Sequence, residues 1–195
     1  GSIGPDPELP FIDVVHSAEN WYYDTVANVY WKDLMTGLSK NVFGPSEPLL
    51  RAEFAVILHR MEDLPKVSYD GRYQDVADGL WYTDAVAWAS EEGVITGYGA
   101  GEMFGPGDYI SREQMATMMY RYAKRKGYDT SVKADLGSYK DASEVSAFAE
   151  EAMQWAVGNK IISGKQGGTI LDPQGNTTRS ECAVILTRFM DTYNK

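Results

Sequence analysis

The sequence predicts an all-α, mainly helical chain: three helix-loop-helix repeats in a pseudo-threefold arrangement around a central helical hub. Three observations lead there. A polar tag with arginine in second place recurs as Leu50-Arg51-Ala52-Glu53, Ser111-Arg112-Glu113-Gln114 and Thr178-Arg179-Ser180-Glu181. Each tag follows a turn, Phe43-Gly-Pro45, Phe104-Gly-Pro106 or Leu171-Asp-Pro173. Each also precedes an apolar stripe at helical spacing. Similarity at a fixed period is the signature of repeat architecture; Arg51 to Arg112 is 61 residues and Arg112 to Arg179 is 67.

The units read as 11–63, 73–126 and 139–193, with a leader over 1–10 and linkers over 64–72 and 127–138. They open on Phe11-Ile-Asp13, Tyr73-Gln-Asp75 and Tyr139-Lys-Asp141. A first helix follows, starting near Trp21-Tyr22, Trp81-Tyr82 and Phe148-Ala149. Its face carries Tyr22, Val26 and Val29 in the first unit, Tyr82, Val86 and Ala89 in the second, and Ala149, Met153 and Ala156 in the third. Spacings of four and three put each set on one side of a helix. Gly37, Gly97 and Gly164 stand where the chain leaves that helix, a place suited to a residue free to take positive φ.

The second helix has the clearer stripe. Phe54, Ile57, Leu58 and Met61 occupy i, i+3, i+4 and i+7, repeated by Met115, Met118, Met119 and Tyr122 and by Cys182, Ile185, Leu186 and Phe189. That is the pattern of a core-facing helix. Ser111 with Gln114, and Thr178 with Glu181, have capping-box spacing. Leu50 offers no hydroxyl, so the first unit's second helix should start less firmly, by about 1 kcal/mol. Helix pairs of this size are too small to bury their stripes alone, so the three second helices are expected to meet in a shared hub.

Composition excludes several classes. A formal charge of −10 disfavours nucleic acid and anionic membranes. No stretch approaches the roughly 20 apolar residues of a membrane span. The single cysteine allows no internal disulfide, and Cys182 occupies a stripe position, as a core residue does. His16 and His59 have no ligand-like spacing, so neither a metal nor another cofactor is expected. Gly1-Ser2 has the look of a cloning scar ahead of an excised fragment.

These motifs resemble the S-layer homology family. Its signature runs Phe-x-Asp-Val, Trp-Tyr-x-Asp-Ala-Val-x-Trp-Ala, Gly-Val-Ile-x-Gly, Phe-x-Pro and Thr-Arg-Ala-Glu. The middle unit carries most of it in Tyr73-Gln-Asp75-Val76, Trp81-Tyr-Thr-Asp84-Ala-Val-Ala-Trp88-Ala89, Gly93-Val-Ile-Thr-Gly97 and Phe104-Gly-Pro106. The resemblance implies a non-catalytic module, outside the cell at the bacterial wall or surface layer. It implies that the module holds its parent protein to a secondary cell-wall polysaccharide, often an acidic, pyruvylated amino-sugar glycan, in grooves between units. It also implies ligand contacts by Arg51, Arg112 and Arg179 and by Gly37, Gly97 and Gly164. The tag departs from the family at Leu50 and Gln114, and Phe148-Ala149 departs from Trp-Tyr.

The residues themselves leave alternatives open. A guanidinium at the first turn of a helix can hold a glycan anion through paired charge-assisted hydrogen bonds, or it can fix one unit to the next by pairing with carboxylates. Trp21 and Trp81 can stack on a sugar or pack in the core. Asp24 and Asp84 can accept from sugar hydroxyls or complement a helix dipole. Arg60, Arg121 and Arg188, nine residues beyond the tag arginines, fall on nearly the opposite helix face and read as structural pairs with acids. A monomer is expected. The rival readings are a protein-protein assembly module, a wall-glycan hydrolase and, weakest, a helix-turn-helix DNA binder.

Overall fold

The computed structural model describes residues 8–194, so Gly1-Ser2 and most of the leader lie outside the described residues. Among the described residues six α-helices form: α1 Tyr23–Trp31, α2 Arg51–Met61, α3 Thr83–Glu91, α4 Arg112–Arg125, α5 Glu150–Gly158 and α6 Arg179–Tyr193. Two short 3-10 turns, Ala142–Glu144 and Ala147–Ala149, lead into α5. Among the described residues there is no sheet, only isolated bridges between loops. The chain is mainly α, as its stripes predict.

The apolar stripes are buried as expected: Val26, Val29, Phe54, Leu58, Val86, Met115, Met119, Met153, Cys182, Leu186 and Phe189 have no exposed surface. Burying a side chain of Val, Leu or Phe size is worth roughly 1.5–3 kcal/mol. The partners in this burial are not the two helices of one unit. The packed pairs are α2 with α3, α4 with α5, and α6 with α1. Each second helix thus packs on the first helix of the following unit, and the third unit closes back on the first. Trp88 of α3 lies 5.6 Å from His59 of α2, and Trp155 of α5 lies 5.4 Å from Tyr120 of α4. Among the described residues the second helices therefore do not pack directly on one another as the expected hub required; single side chains bridge their ends, with Tyr122 of α4 5.7 Å from Phe189 of α6 and its hydroxyl donating to Glu62, just past α2.

The residues just ahead of the tags close the same cycle through backbone. Ile110 N–H donates to Leu49 C=O (3.1 Å), Thr177 N–H to Ile110 C=O (2.8 Å) and Leu49 N–H to Thr177 C=O (2.9 Å). All three residues are fully buried, and among the described residues Thr177 Oγ1 is a buried polar atom with no partner. The free amides at each second helix's start are taken up by the next unit's turn: Ala52 donates to Pro106, Glu113 to Pro173 and Ser180 to Pro45. A helix start otherwise leaves such amides without partners.

The opening aspartates hold those turns in shape. Asp13 accepts from the amides of Phe43 and Gly44, Asp75 from Phe104 and Gly105, and Asp141 from Leu171 and Asp172. Burial alone would raise the Asp141 pKa, but these two amides, its own amide and the charge of Arg112 together hold the carboxyl below its ordinary value. Gly44 and Gly105 take φ near +70°, and Asp172 accepts the left-handed position in the third unit.

Two local expectations change. Gly37, Gly97 and Gly164 do not take positive φ; the left-handed residues that end the first helices are Asp33, Gly93 and Lys160, four positions earlier. The later glycines are required by crowding instead. A Cβ on Gly97 would stand 2.7 Å from both Met103 O and the Tyr73 ring, and Phe11 and Tyr139 crowd Gly37 and Gly164 in the same way. Ser111 and Gln114 form a complete capping box, but at Thr178 only the hydroxyl half forms. Glu181 does not reach back, because it faces Arg112 and Lys165. Leu50, with no acceptor of its own, keeps only the bond from its amide to Glu53.

Candidate functional site

Each tag arginine begins a helix in one unit and extends its side chain into the next. Arg51 donates from Nε to Phe104 C=O (2.9 Å) and from Nη2 to Thr96 C=O (2.7 Å). Arg112 does the same with Leu171 (2.8 Å) and Ser163 (2.9 Å), and Arg179 with Phe43 (2.8 Å) and Thr36. All three are 3–4% exposed. Two donors on one planar group tie the Phe-Gly-Pro turn to the residue just before the crowded glycine. The arginines therefore pin one unit to the next, mainly through carbonyls; among the described residues the carboxylate pairing left open above joins in only at Arg112 and Arg179.

Their remaining nitrogens border three grooves built alike. The first groove, about 360 Å³, has Thr36, Gly37, Arg60 and Glu53 from the first unit, Arg179 from the third and Trp81 from the second. The second, about 250 Å³, has Thr96, Gly97, Gln114 and Arg121 with Arg51 and Phe148. The third, about 250 Å³, has Ser163, Gly164, Glu181 and Arg188 with Arg112 and Trp21. Every unit thus contributes to all three. The first unit gives Arg51 to the second groove, Trp21 to the third and α2 to the first.

This arrangement brings together Arg51 with Gly97, Arg112 with Gly164 and Trp21, and Arg179 with Gly37 and Trp81. Trp21 and Trp81 are 64% and 66% exposed, which sets them apart from the buried Trp88 and Trp155. Phe148, 60% exposed, supplies an aromatic face where the third unit lacks Trp. Asp24 stays on the exposed first turn of α1, outside the third groove's lining. Asp84 lies outside the first groove as well and lines a larger cleft beside it, about 710 Å³.

Arg60, Arg121 and Arg188 are not structural pairs with acids. They line the grooves, and none has an ion pair among the described residues. The helix geometry behind the earlier reading holds: nine residues do put them opposite the tag arginine of their own helix. The arginine they meet belongs to the preceding unit. The signal that could have found them was their recurrence at one helix position in all three units. Arg60 donates to Leu34 C=O (3.3 Å), Arg188 to Ser163 Oγ (3.2 Å), and burial lowers the Arg60 pKa.

Charge differs among the grooves. Glu53 pairs with Arg179 in the first, and Glu181 stands 3.4 Å from Arg112 in the third. Gln114 takes that place in the second, so Arg51 has no ion pair there among the described residues. Instead its guanidinium lies over the Tyr98 ring at 4.5 Å. Burial lowers the Arg51 pKa, and Tyr98 and Asp108 oppose that shift.

Comparison with known proteins matches this pattern. The family model described as the S-layer homology domain fits residues 10–55, 72–116 and 138–183. An endoglucanase of Bacillus sp. (strain KSM-635) is 31% identical over 93% of this chain and 19% of its own length. The surface-layer 125 kDa protein of Lysinibacillus sphaericus is 30% identical over 81% of the chain and 13% of its own. The S-layer protein sap of Bacillus anthracis is 28% identical over 88% and 20%. The chain therefore spans a fifth or less of these curated relatives, and what it shares with enzymes and surface-layer proteins alike is a non-catalytic anchoring module of the cell surface. Three family matches in tandem, on three grooves built from the same positions, mean that this chain belongs to the S-layer homology family.

Proposed function

We propose that the chain anchors its parent protein to the bacterial cell wall by binding, as a monomer, an acidic secondary polysaccharide of pyruvylated amino-sugar type in the grooves between units 11–63, 73–126 and 139–193. The observation that supports this is the pairing, in each groove, of a buried arginine from one unit with a second arginine from the next, opposite an exposed aromatic ring. Two guanidinium groups in one groove of an overall acidic chain are a local site for a carboxylate, and the ring offers a flat apolar face to a sugar. The protein's net charge of −10 would repel a diffuse polyanion, which favours a discrete acidic substituent over charge density along the polymer. Weak single grooves gain from one another once one is engaged, because later contacts are made within the same assembly.

The test is equilibrium binding to isolated wall glycan before and after chemical removal of its acidic substituent. Binding should fall by at least about tenfold on removal, the worth of one or two charge-assisted hydrogen bonds. Equal affinity for the two preparations ends the anionic part of the reading.

A further inference from the structure

We infer that the cleft beside the first groove, between α2 and the 64–68 linker, is a second subsite for the sugar that follows the anionic one along the same glycan chain. The inference rests on the anionic-glycan reading of the first groove. The cleft and the groove share Val56, Arg60 and Trp81, so the two cavities are continuous around one exposed indole and one guanidinium. At about 710 Å³ the cleft is about twice the volume of the groove and lies inside the roughly 300–1,000 Å³ range of small-molecule sites.

Its polar groups suit a neutral sugar. Asp84 and Lys66 both line it, both are exposed, and neither side chain has a hydrogen bond or ion pair among the described residues. An unpaired carboxylate accepts from hydroxyls, and an ammonium donates to hydroxyl or acetamido oxygens. Val56 and the indole supply the apolar floor that a sugar ring face needs.

The corresponding place at the α4–α5 junction is already occupied. Glu151 stands in Asp84's position and accepts from Tyr120 Oη (2.9 Å) and Lys133 Nζ (2.7 Å). The first groove has this open continuation, so chain length should matter there.

The experiment uses the chain labelled with 5-fluorotryptophan and follows the ¹⁹F resonance of Trp81, assigned from the Trp81→Phe spectrum. The probes are a pyruvylated amino sugar alone and a trisaccharide ending in that sugar. The trisaccharide should bind about tenfold more tightly at Trp81. Lys66→Ala should cut that advantage to about threefold or less, and Ser68→Tyr, which fills the cleft, should abolish it. Both variants should bind the single sugar like the parent. Equal affinity of the parent for the two probes, or an undiminished advantage in both variants, overturns the inference while leaving the anionic groove intact. Failure of the single sugar to bind the parent overturns the anionic reading itself, and the subsite with it.

Discussion

Arg112 Nη1 lies 3.4 Å from Glu181 Oε2, across the third groove and across 69 residues of chain. The same relation joins Arg179 to Glu53 in the first groove, and its absence at Arg51 and Gln114 marks the second. A carboxylate at that position competes with any anionic ligand for the guanidinium. The difference turns one side chain into a control on both stability and binding.

Gln114→Glu should therefore raise stability by about 0.5–1 kcal/mol, by giving Arg51 a partner. It should also weaken binding of a pyruvylated sugar at the second groove by about fivefold. Thermal unfolding checks the first effect and titration with the pyruvylated sugar the second. Glu181→Gln should move the third groove's affinity in the opposite direction.

Arg112→Ala should be costly irrespective of ligand. It leaves the Ser163 and Leu171 carbonyls without their donor and removes the tie between the second and third units. A loss of about 2–4 kcal/mol is expected, read from denaturant midpoints at unchanged m-value. Arg112→Lys should recover only part of it, since an ammonium lacks the planar fork that reaches both carbonyls. Loss of glycan binding in Arg112→Ala would therefore not by itself identify a ligand contact.

The two kinds of glycine in the second unit should respond differently. Gly97→Ala places a methyl 2.7 Å from a backbone oxygen and an aromatic ring, so it should cost about 1–3 kcal/mol and deform the second groove. Gly93→Ala meets nothing within 4 Å and suffers only from its φ of +72°, about 1–2 kcal/mol. Gly93→Asn should be nearly neutral, because Asn tolerates the left-handed region. Unfolding curves of the three variants separate crowding from backbone strain.

Thr177→Val should stabilise the chain. Thr177 occupies the place held by Leu49 and Ile110 in the ring of backbone bonds, and its buried hydroxyl oxygen has no partner among the described residues. Removing it without changing shape should add about 1 kcal/mol, measured as a higher melting temperature.

Much of this molecule is legible in its sequence, because helical periodicity and repetition are local signals. Phe54, Met115 and Cys182 announce one buried position three times, and all three are buried. Connectivity between units is not local, and it was the part that stayed hidden. Nothing in the spacing of Tyr82 and Val86 says that their helix packs on α2 and not on α4. That exchange is what brings Arg121 opposite Arg51 and sends Trp81 to a groove whose turn lies in another unit. The tag arginines illustrate the same limit. Capping explained Ser111 and Gln114 from sequence, but the carbonyls that hold Arg112 lie more than 50 residues away.

The central claim is that paired arginines from neighbouring units recognise an acidic group on the glycan. Arg60, Arg121 and Arg188 offer the cleanest access to it, because Arg121 and Arg188 are exposed and none of the three has an ion pair to lose among the described residues. The decisive measurement is equilibrium binding of acid-bearing and acid-stripped wall glycan to the Arg60→Ala, Arg121→Ala, Arg188→Ala triple variant, alongside its unfolding curve. The account predicts a folded protein, destabilised by no more than about 1–2 kcal/mol, whose affinity for the acid-bearing glycan falls to that for the stripped one. A folded triple variant that still distinguishes the two glycans as the parent does would contradict it.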